Sequence, residues 1–301
     1  MKKIILTIAC SMLFILAAVI GKNLYSCRIP IRNRGIRDAV LTGDLDVLFI
    51  GSSTFRCNID MRAMDEAFQN RAYDISYGGN QLVAASIQYD ELKKRSGNHY
   101  GLMVFELGPL MLTEDVSISD SRVIWDLSWS GKKALWEKME ESGSTGFPLM
   151  YEYFVTSGMD DLITFPATEP FYATRYYKGV KTEAAPSPGK EVLEREEFDI
   201  SLSQPVQAQI DALRELIGKC RSDKQAFVFV ESPHYYRLQE DPTYRKYREE
   251  FIRILQEEGA PFILADDVDY DDHEAAFFED MNHMSDEGRK VYTKLLIPLI
   301  D

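Results

Sequence analysis

Short apolar runs alternate with helical faces along most of the chain. Residues 46–50 (DVLFI) are almost continuously apolar and break at Gly51, as a buried parallel strand does where it enters a tight turn. Similar runs at 72–76, 102–107, 226–230 and 261–265 predict four more strands. Between them Met61, Met64 and Phe68 mark one helical face, residues 82–92 a second, and Ile210, Leu213, Ile217 and Cys220 a third. Residues 244–258 and 287–300 supply two further helices. This rhythm predicts an α/β fold: a doubly wound sheet of about five parallel strands, covered on both faces, with binding residues at the carboxyl ends of the strands.

One segment breaks the rhythm. Residues 108–225 separate the third strand from the fourth, far more than an ordinary connection in a compact α/β domain, so an insertion at about 112–200 is expected. It carries Trp125, Trp129, Trp136, Tyr151, Tyr153, Phe154, Phe171, Tyr172, Tyr176 and Tyr177, with a Pro/Gly loop at 186–189. These aromatics fit a lid or substrate wall, and equally a helical subdomain with its own small core.

At the amino terminus Lys2 and Lys3 precede an apolar run from Ile4 to Ile20. That is short for a bilayer span and long for a signal-peptide apolar region, so residues 1–25 read first as an uncleaved signal anchor and second as a cleaved signal. Residues 26–44 read as a basic linker and 45–301 as the soluble domain. Lys22, Arg28, Arg32, Arg34 and Arg37 put more positive charge after the span than before it, and a strict charge count would keep the domain in the cytoplasm. The Lys-Lys start and the size of the following domain favour export, giving a single-pass cell-membrane protein with an extracytoplasmic domain.

Composition narrows the partners. The 301 residues carry a formal charge of -14, and basic residues cluster only locally, which argues against nucleic acid. The four cysteines (Cys10, Cys27, Cys57, Cys220) show no C-x-x-C pair and no metal-ligand spacing, so no metal site is expected.

Two segments carry chemistry. The first strand ends in VLFIGSST, where a serine in a strand-to-helix turn is held exposed beside helix amino-terminal amides; the same residues also suit an ordinary turn with a helix cap. Near the other end, FFEDMNHMSDEG spaces Asp280 and His283 as D-x-x-H before the last helix. A carboxylate at that spacing can fix the imidazole tautomer and leave the second ring nitrogen to take a proton from serine. A surface Asp-His pair is the plain alternative.

Together these segments resemble the SGNH (GDSL-like) hydrolase superfamily. GSS at 51–53 matches its G-D-S motif with Ser52 in place of Asp, and DMNH at 280–283 matches its closing D-x-x-H. The resemblance implies a flavodoxin-like three-layer fold, Ser53 as nucleophile, His283 as base, Asp280 as its orienting carboxylate, and an oxyanion hole from the amides of Ser53 and Gly79 (in YDISYGGN). The family's G-x-N-D motif is not met: FELGPLM keeps Gly108 but sets Leu110 where the asparagine donor would stand. Asn80 is the candidate substitute. VFVESPHYY places Glu231, Ser232 and His234 at the end of the fourth strand, with His234 a candidate substrate contact or rival base, whereas His99 and His273 read as surface residues. The GSS variant with an anchor is similar to envelope proteins that move acyl groups, such as the teichoic-acid D-alanyl transfer type. The resemblance therefore implies ester chemistry on an acyl-bearing small molecule or glycan, with no cofactor needed.

Overall fold

The computed structural model describes residues 2–26, 28, 33–117, 120–156, 174–201 and 203–301. Its strands are β1 (Leu45–Ile50), β2 (Ala72–Asp74), β3 (Tyr100–Leu107), β4 (Tyr176–Tyr177), β5 (Val180–Lys181), β6 (Ala226–Glu231) and β7 (Phe262–Ile263). The helices are α1 (Lys2–Ser26), α2 (Gly35–Thr42), α3 (Ser53–Asn58), α4 (Met61–Ala67), α5 (Leu82–Arg95), α6 (Ser121–Asp126), α7 (Trp129–Glu141), α8 (Phe147–Tyr151), α9 (Lys190–Leu193), α10 (Gln207–Ser222), α11 (Tyr236–Gln239), α12 (Pro242–Glu257) and α13 (Asp286–Ile300).

Five strands form one parallel sheet in the order β2-β1-β3-β6-β7, and β4 and β5 form a separate antiparallel hairpin. This is the flavodoxin-like order, whose direction of winding switches between β1 and β3. Side chains alternate across the pleat. Leu48, Ile50, Tyr73, Met103 and Phe105 face one core with residues of α2, α5 and α10, among them Ile36, Leu92 and Leu213. Val47, Phe49, Val104, Val228 and Val230 face the other, against Phe55, Met64, Tyr292 and Leu296 from α3, α4 and α13. Because both faces are covered, the strands read as nearly continuous apolar runs.

Three expectations change in detail. Part of the segment read as a basic linker is helix α2, whose Ile36 and Ala39 are fully buried in the first core. Its arginines had disguised a short amphipathic helix. The strands expected at 72–76 and 261–265 are shorter, because the Ser76 amide turns back onto the Asp74 carboxylate and Leu264 begins a 3-10 turn capped by Asp267.

The described part of the insertion does not fold apart from the domain. Val123, Ile124, Leu127, Leu135, Met139 and Tyr153 join the first core, while Val180 and Leu193 join the second. Trp136, Tyr153 and Phe154 pack on one another with ring centroids 4.6–5.4 Å apart. Phe171, Tyr172 and Cys27 lie outside the described residues. The β4–β5 turn docks tightly on β2: Asp74 N donates to Lys178 O, and a Cβ on Gly179 would overlap the Asp74 carbonyl. Cys57 and Cys220 are buried free thiols, and Cys10 is exposed on α1.

Candidate active site

The carboxyl edge of the sheet holds a cavity of about 200 Å³ lined from five connections: Ser52, Ser53 and Thr54 after β1, Gly79 and Asn80 after β2, Glu106 and Gly108 to Met111 around the end of β3, His234 after β6, and Asn282 and His283 before α13. Residues from both sequence motifs, some 230 positions apart, therefore line one wall.

The turn after β1 separates two serine roles. Ser52 is the N-cap of α3, its Oγ accepting from Thr54 N at 3.3 Å. Ser53, the first helical residue, is left free of capping, and its Oγ lies 2.9 Å from His283 Nε2. On the other side of the ring His283 Nδ1 lies 2.8 Å from Asp280 Oδ2. The spacing D-x-x-H works because Asp280 Oδ1 also accepts the amides of Asn282 and His283, at 2.7 and 2.8 Å, which closes the turn around the carboxylate. Burial alone would raise the Asp280 carboxyl, but the bond and charge of His283, together with those amides, hold it below its ordinary value. It is an anion at neutral pH, and the relay Ser53–His283–Asp280 is geometrically continuous.

Two supporting residues carried no signal in the sequence. Glu106, fully enclosed at the end of β3, accepts the Ser52 amide on Oε2 and the Thr54 hydroxyl on Oε1, so one carboxyl grips both neighbours of Ser53. A Cβ on Gly51 would lie 2.6 Å from Glu106 Oε2 and 2.8 Å from the Phe55 ring, so this approach requires glycine. Burial pushes the Glu106 carboxyl up to about 7, against the opposing bond from Ser52 and the charge of His283. Asn58, at the end of α3, receives Met284 N on Oδ1 (2.8 Å) and donates from Nδ2 to Pro233 O (3.2 Å) and Asn282 O (3.5 Å). It fastens the serine helix to the histidine loop.

The side of the cavity where the resemblance implies an oxyanion hole is less complete. Gly79 lines the cavity with φ +60, and Tyr77 N donates to Gly51 O, which pins its loop beside the serine turn. Asn80 does not act as the expected substitute donor. Its Nδ2 is committed to Gly51 O (3.1 Å) and Gln88 Oε1 (2.9 Å), and its main-chain N–H to Tyr77 O. It braces the loop instead. Leu110 lines the cavity from a 3-10 turn (Pro109–Leu112) and offers only hydrocarbon there. Arg56, one turn beyond Ser53, extends behind Gly78 toward Asp120, 3.7 Å away, and Asp120 also pairs with Arg34 and Arg122.

His234 lines the cavity edge-on to Tyr244, with ring centroids 5.5 Å apart. Burial, aided by the charge of His283, pushes its imidazole down to about 4, so it is neutral at pH 7. No bond joins it to Ser53, whose hydroxyl is already held by His283, so the rival-base reading finds no geometric support. Glu231 is not part of the cavity wall: it is bound by Arg248 at 2.6 and 2.8 Å and accepts Ala265 N. His99 is exposed at the opposite edge of the sheet, and His273 stacks on Tyr236. Among the described residues no aromatic of the insertion lines the cavity; Trp125 and Tyr153 are buried in packing, which removes the basis for reading them as a lid. No group of three or more metal-ligating side chains occurs among the described residues.

No family model and no curated protein matches the chain. Solved structures similar to it include a provisionally assigned platelet activating factor from Streptococcus pneumonia (10% identity, 97% of this chain and 99% of that chain covered, TM-score 0.44). A catalytic mutant of an acetylxylan esterase from Geobacillus stearothermophilus is similar at 12% identity, with 86% and 95% covered and a TM-score of 0.41. A provisionally assigned acylhydrolase from Bacteroides fragilis is similar at 10% identity, with 88% and 93% covered and a TM-score of 0.40.

Proposed function

We propose that this chain is a serine esterase or O-acyltransferase of the SGNH type, anchored in the cell membrane and acting on an ester-linked acyl group of an envelope glycan or related molecule. The observation that carries the proposal is the unbroken relay from Asp280 through His283 to the uncapped hydroxyl of Ser53. In this mechanism His283 Nε2 takes the Ser53 proton as Oγ attacks the ester carbonyl. The donors assigned to the developing oxyanion are the amides of Ser53, at the start of α3, and Gly79, both of which line the cavity. His283 then returns the proton to the departing alcohol, leaving an acyl-serine. Water or a glycan hydroxyl, deprotonated by the same histidine, takes the acyl group, and His283 hands that proton to Ser53 Oγ as the acyl–serine bond breaks. None of these steps needs a cofactor.

The test is labelling of the full chain in membranes by a fluorophosphonate, with Ser53→Ala and His283→Ala as controls. Labelling lost in both variants supports the mechanism; a folded wild type that does not label overturns it. A second reading, a non-catalytic SGNH-like envelope component that binds a glycan or an assembly partner, is favoured by one feature: Leu110 supplies no side-chain donor to the oxyanion, a loss worth on the order of a hundredfold in rate. The anchor reading rests on α1, which is long and apolar enough to cross a bilayer. A topology reporter fused after Asp301 that registers inside the cell would sink the extracytoplasmic assignment.

A further inference from the structure

Helix α1 is exposed along nearly all its length, yet its last turns are not a loose tether. Asn23 is fully buried, and Lys22 nearly so. Asn23 Oδ1 accepts from Lys132 Nζ at 2.9 Å, its Nδ2 donates to Phe154 O at 2.7 Å, and Lys22 Nζ donates to Val155 O at 3.1 Å. Lys132, on α7, is itself buried, and Tyr153 Oη donates to its carbonyl at 2.6 Å. A buried ammonium held by a buried amide is a fixed joint, because either group left alone would keep its desolvation cost without its partner.

The joint lies where a bilayer would end. The apolar stretch Ile4–Ile20 spans about 25 Å as helix, so Lys22 and Asn23 fall at the edge of the hydrocarbon. The insertion that makes this joint also presents exposed apolar side chains: Phe147 is 74% exposed and Tyr151 52%, and Trp129 and Met150 are also exposed. Trp129 packs against Phe154, whose carbonyl holds Asn23, so the exposed group is continuous with the joint. Aromatic residues with one apolar and one polar end are suited to the headgroup zone.

We infer that the insertion is a membrane-seating collar: α7, α8 and the π-helical turn Glu152–Thr156 clasp the end of α1 and rest Trp129, Phe147, Met150 and Tyr151 in the lipid interface. The inference rests on the proposal that α1 is a retained anchor. It also links the membrane to the cavity, because α6 packs on α1 and its Asp126 accepts the Tyr77 hydroxyl at 2.7 Å, two residues before Gly79. The domain is thereby held at one orientation, with its acyl chemistry close to the bilayer surface.

The experiment uses the full chain with Cys10→Ala and Cys27→Ala, carrying one added cysteine at Phe147, Met150 or Tyr151, or at the exposed control Glu191, labelled with an environment-sensitive fluorophore. Each protein is placed at one copy per lipid nanodisc. Blue-shifted emission quenched by nitroxide lipids at 147, 150 and 151, but not at 191, is the expected result. Absence of the shift in protein that retains α1 by mass and resists carbonate extraction overturns the collar while leaving the anchor intact. Loss of α1, or release by carbonate, overturns the anchor reading and the collar with it. A shift seen only with several copies per disc overturns the lipid assignment and makes the patch a contact between chains. Asn23→Leu, which takes an oxygen acceptor from Lys132, should lower the unfolding temperature; an unchanged value overturns the joint.

Discussion

Glu106 offers the sharpest test of how the serine turn is held. Its carboxyl grips Ser52 N and the Thr54 hydroxyl on either side of Ser53, while burial raises its titration from 4.5 to about 7. The sign follows from which state ionises first. Below pH 4.5 both folded and unfolded chains carry it protonated and no penalty arises. Between 4.5 and 7 the unfolded chain ionises first, so stability falls as pH rises, and above 7 the full cost of about 3 kcal/mol is present. Glu106→Gln removes that cost while its carbonyl can still accept the Ser52 amide and its NH₂ can donate to Thr54 Oγ1. Relative to wild type, Glu106→Gln should gain nothing at pH 4 and on the order of 6–10 °C in unfolding temperature at pH 8. Glu106→Ala should behave oppositely, leaving the Ser52 N–H without an acceptor at about 1–3 kcal/mol and the Thr54 hydroxyl with only the Ser52 hydroxyl as partner, and so freeing the turn. Fluorophosphonate labelling should fall on the order of a hundredfold in Glu106→Ala and stay near wild type in Glu106→Gln, because small displacements of a nucleophile cost that much. A stability difference between wild type and Glu106→Gln that is flat from pH 4 to 8 would refute the raised carboxyl. Wild-type labelling by Glu106→Ala would refute the clamp.

Asp280→Asn should keep the fold and lower the labelling rate about 10²- to 10⁴-fold, since the amide no longer fixes the imidazole as a proton acceptor toward Ser53; a rate within twofold of wild type would show the carboxylate to be dispensable. His234→Gln should leave the acidic limb of the pH–rate profile where it was, because His234 is neutral down to about pH 4; a limb that moves would give His234 a part in proton transfer. Asn58→Leu should destabilise the protein by about 2–4 kcal/mol and slow labelling, as Met284 N and two carbonyls lose their partner; thermal unfolding at the wild-type temperature would contradict this. Gly51→Ala should disable labelling through contact of the new methyl with Glu106 and Phe55, measurable beside a circular dichroism spectrum that remains native.

What the sequence disclosed follows from how far each signal reaches. β1, β3 and β6 were legible as 46–50, 102–107 and 226–230 because a strand buried on both faces needs little beyond apolar side chains. The Asp280–His283 pair was legible because its partners sit three residues apart and the turn that joins them is local. Glu106 and Asn58 were not, since Glu106 meets its partners 52 and 54 residues away and Asn58 meets Met284 at a separation of 226. A lone Glu at a strand end or Asn at a helix end carries no local mark of such a role. Helix α2 was hidden for a different reason: Ile36 and Ala39 are its only buried hydrophobic side chains, and the arginines around them read as a linker.

These residues also bear on how a serine turn works without the aspartate and asparagine of its resemblance. With Ser52 where the aspartate would stand, the turn has an N-cap but no carboxylate of its own, and Glu106 from β3 supplies one from below. The same connection sets Leu110 in the cavity wall, so the end of β3 supports the backbone around Ser53 and, in the proposed mechanism, contributes no side-chain donor to the oxyanion. In the proposed mechanism, stabilisation of the developing charge then falls on main-chain amides, whose placement depends on the grip of Glu106 on Ser52 and the hold of Asn80 on Gly51. Glu106→Ala and Asn80→Ala should therefore slow the chemical step more than they weaken binding, although neither residue need touch the substrate. A KM that rises while kcat stays fixed in Asn80→Ala would place Asn80 among the substrate contacts instead.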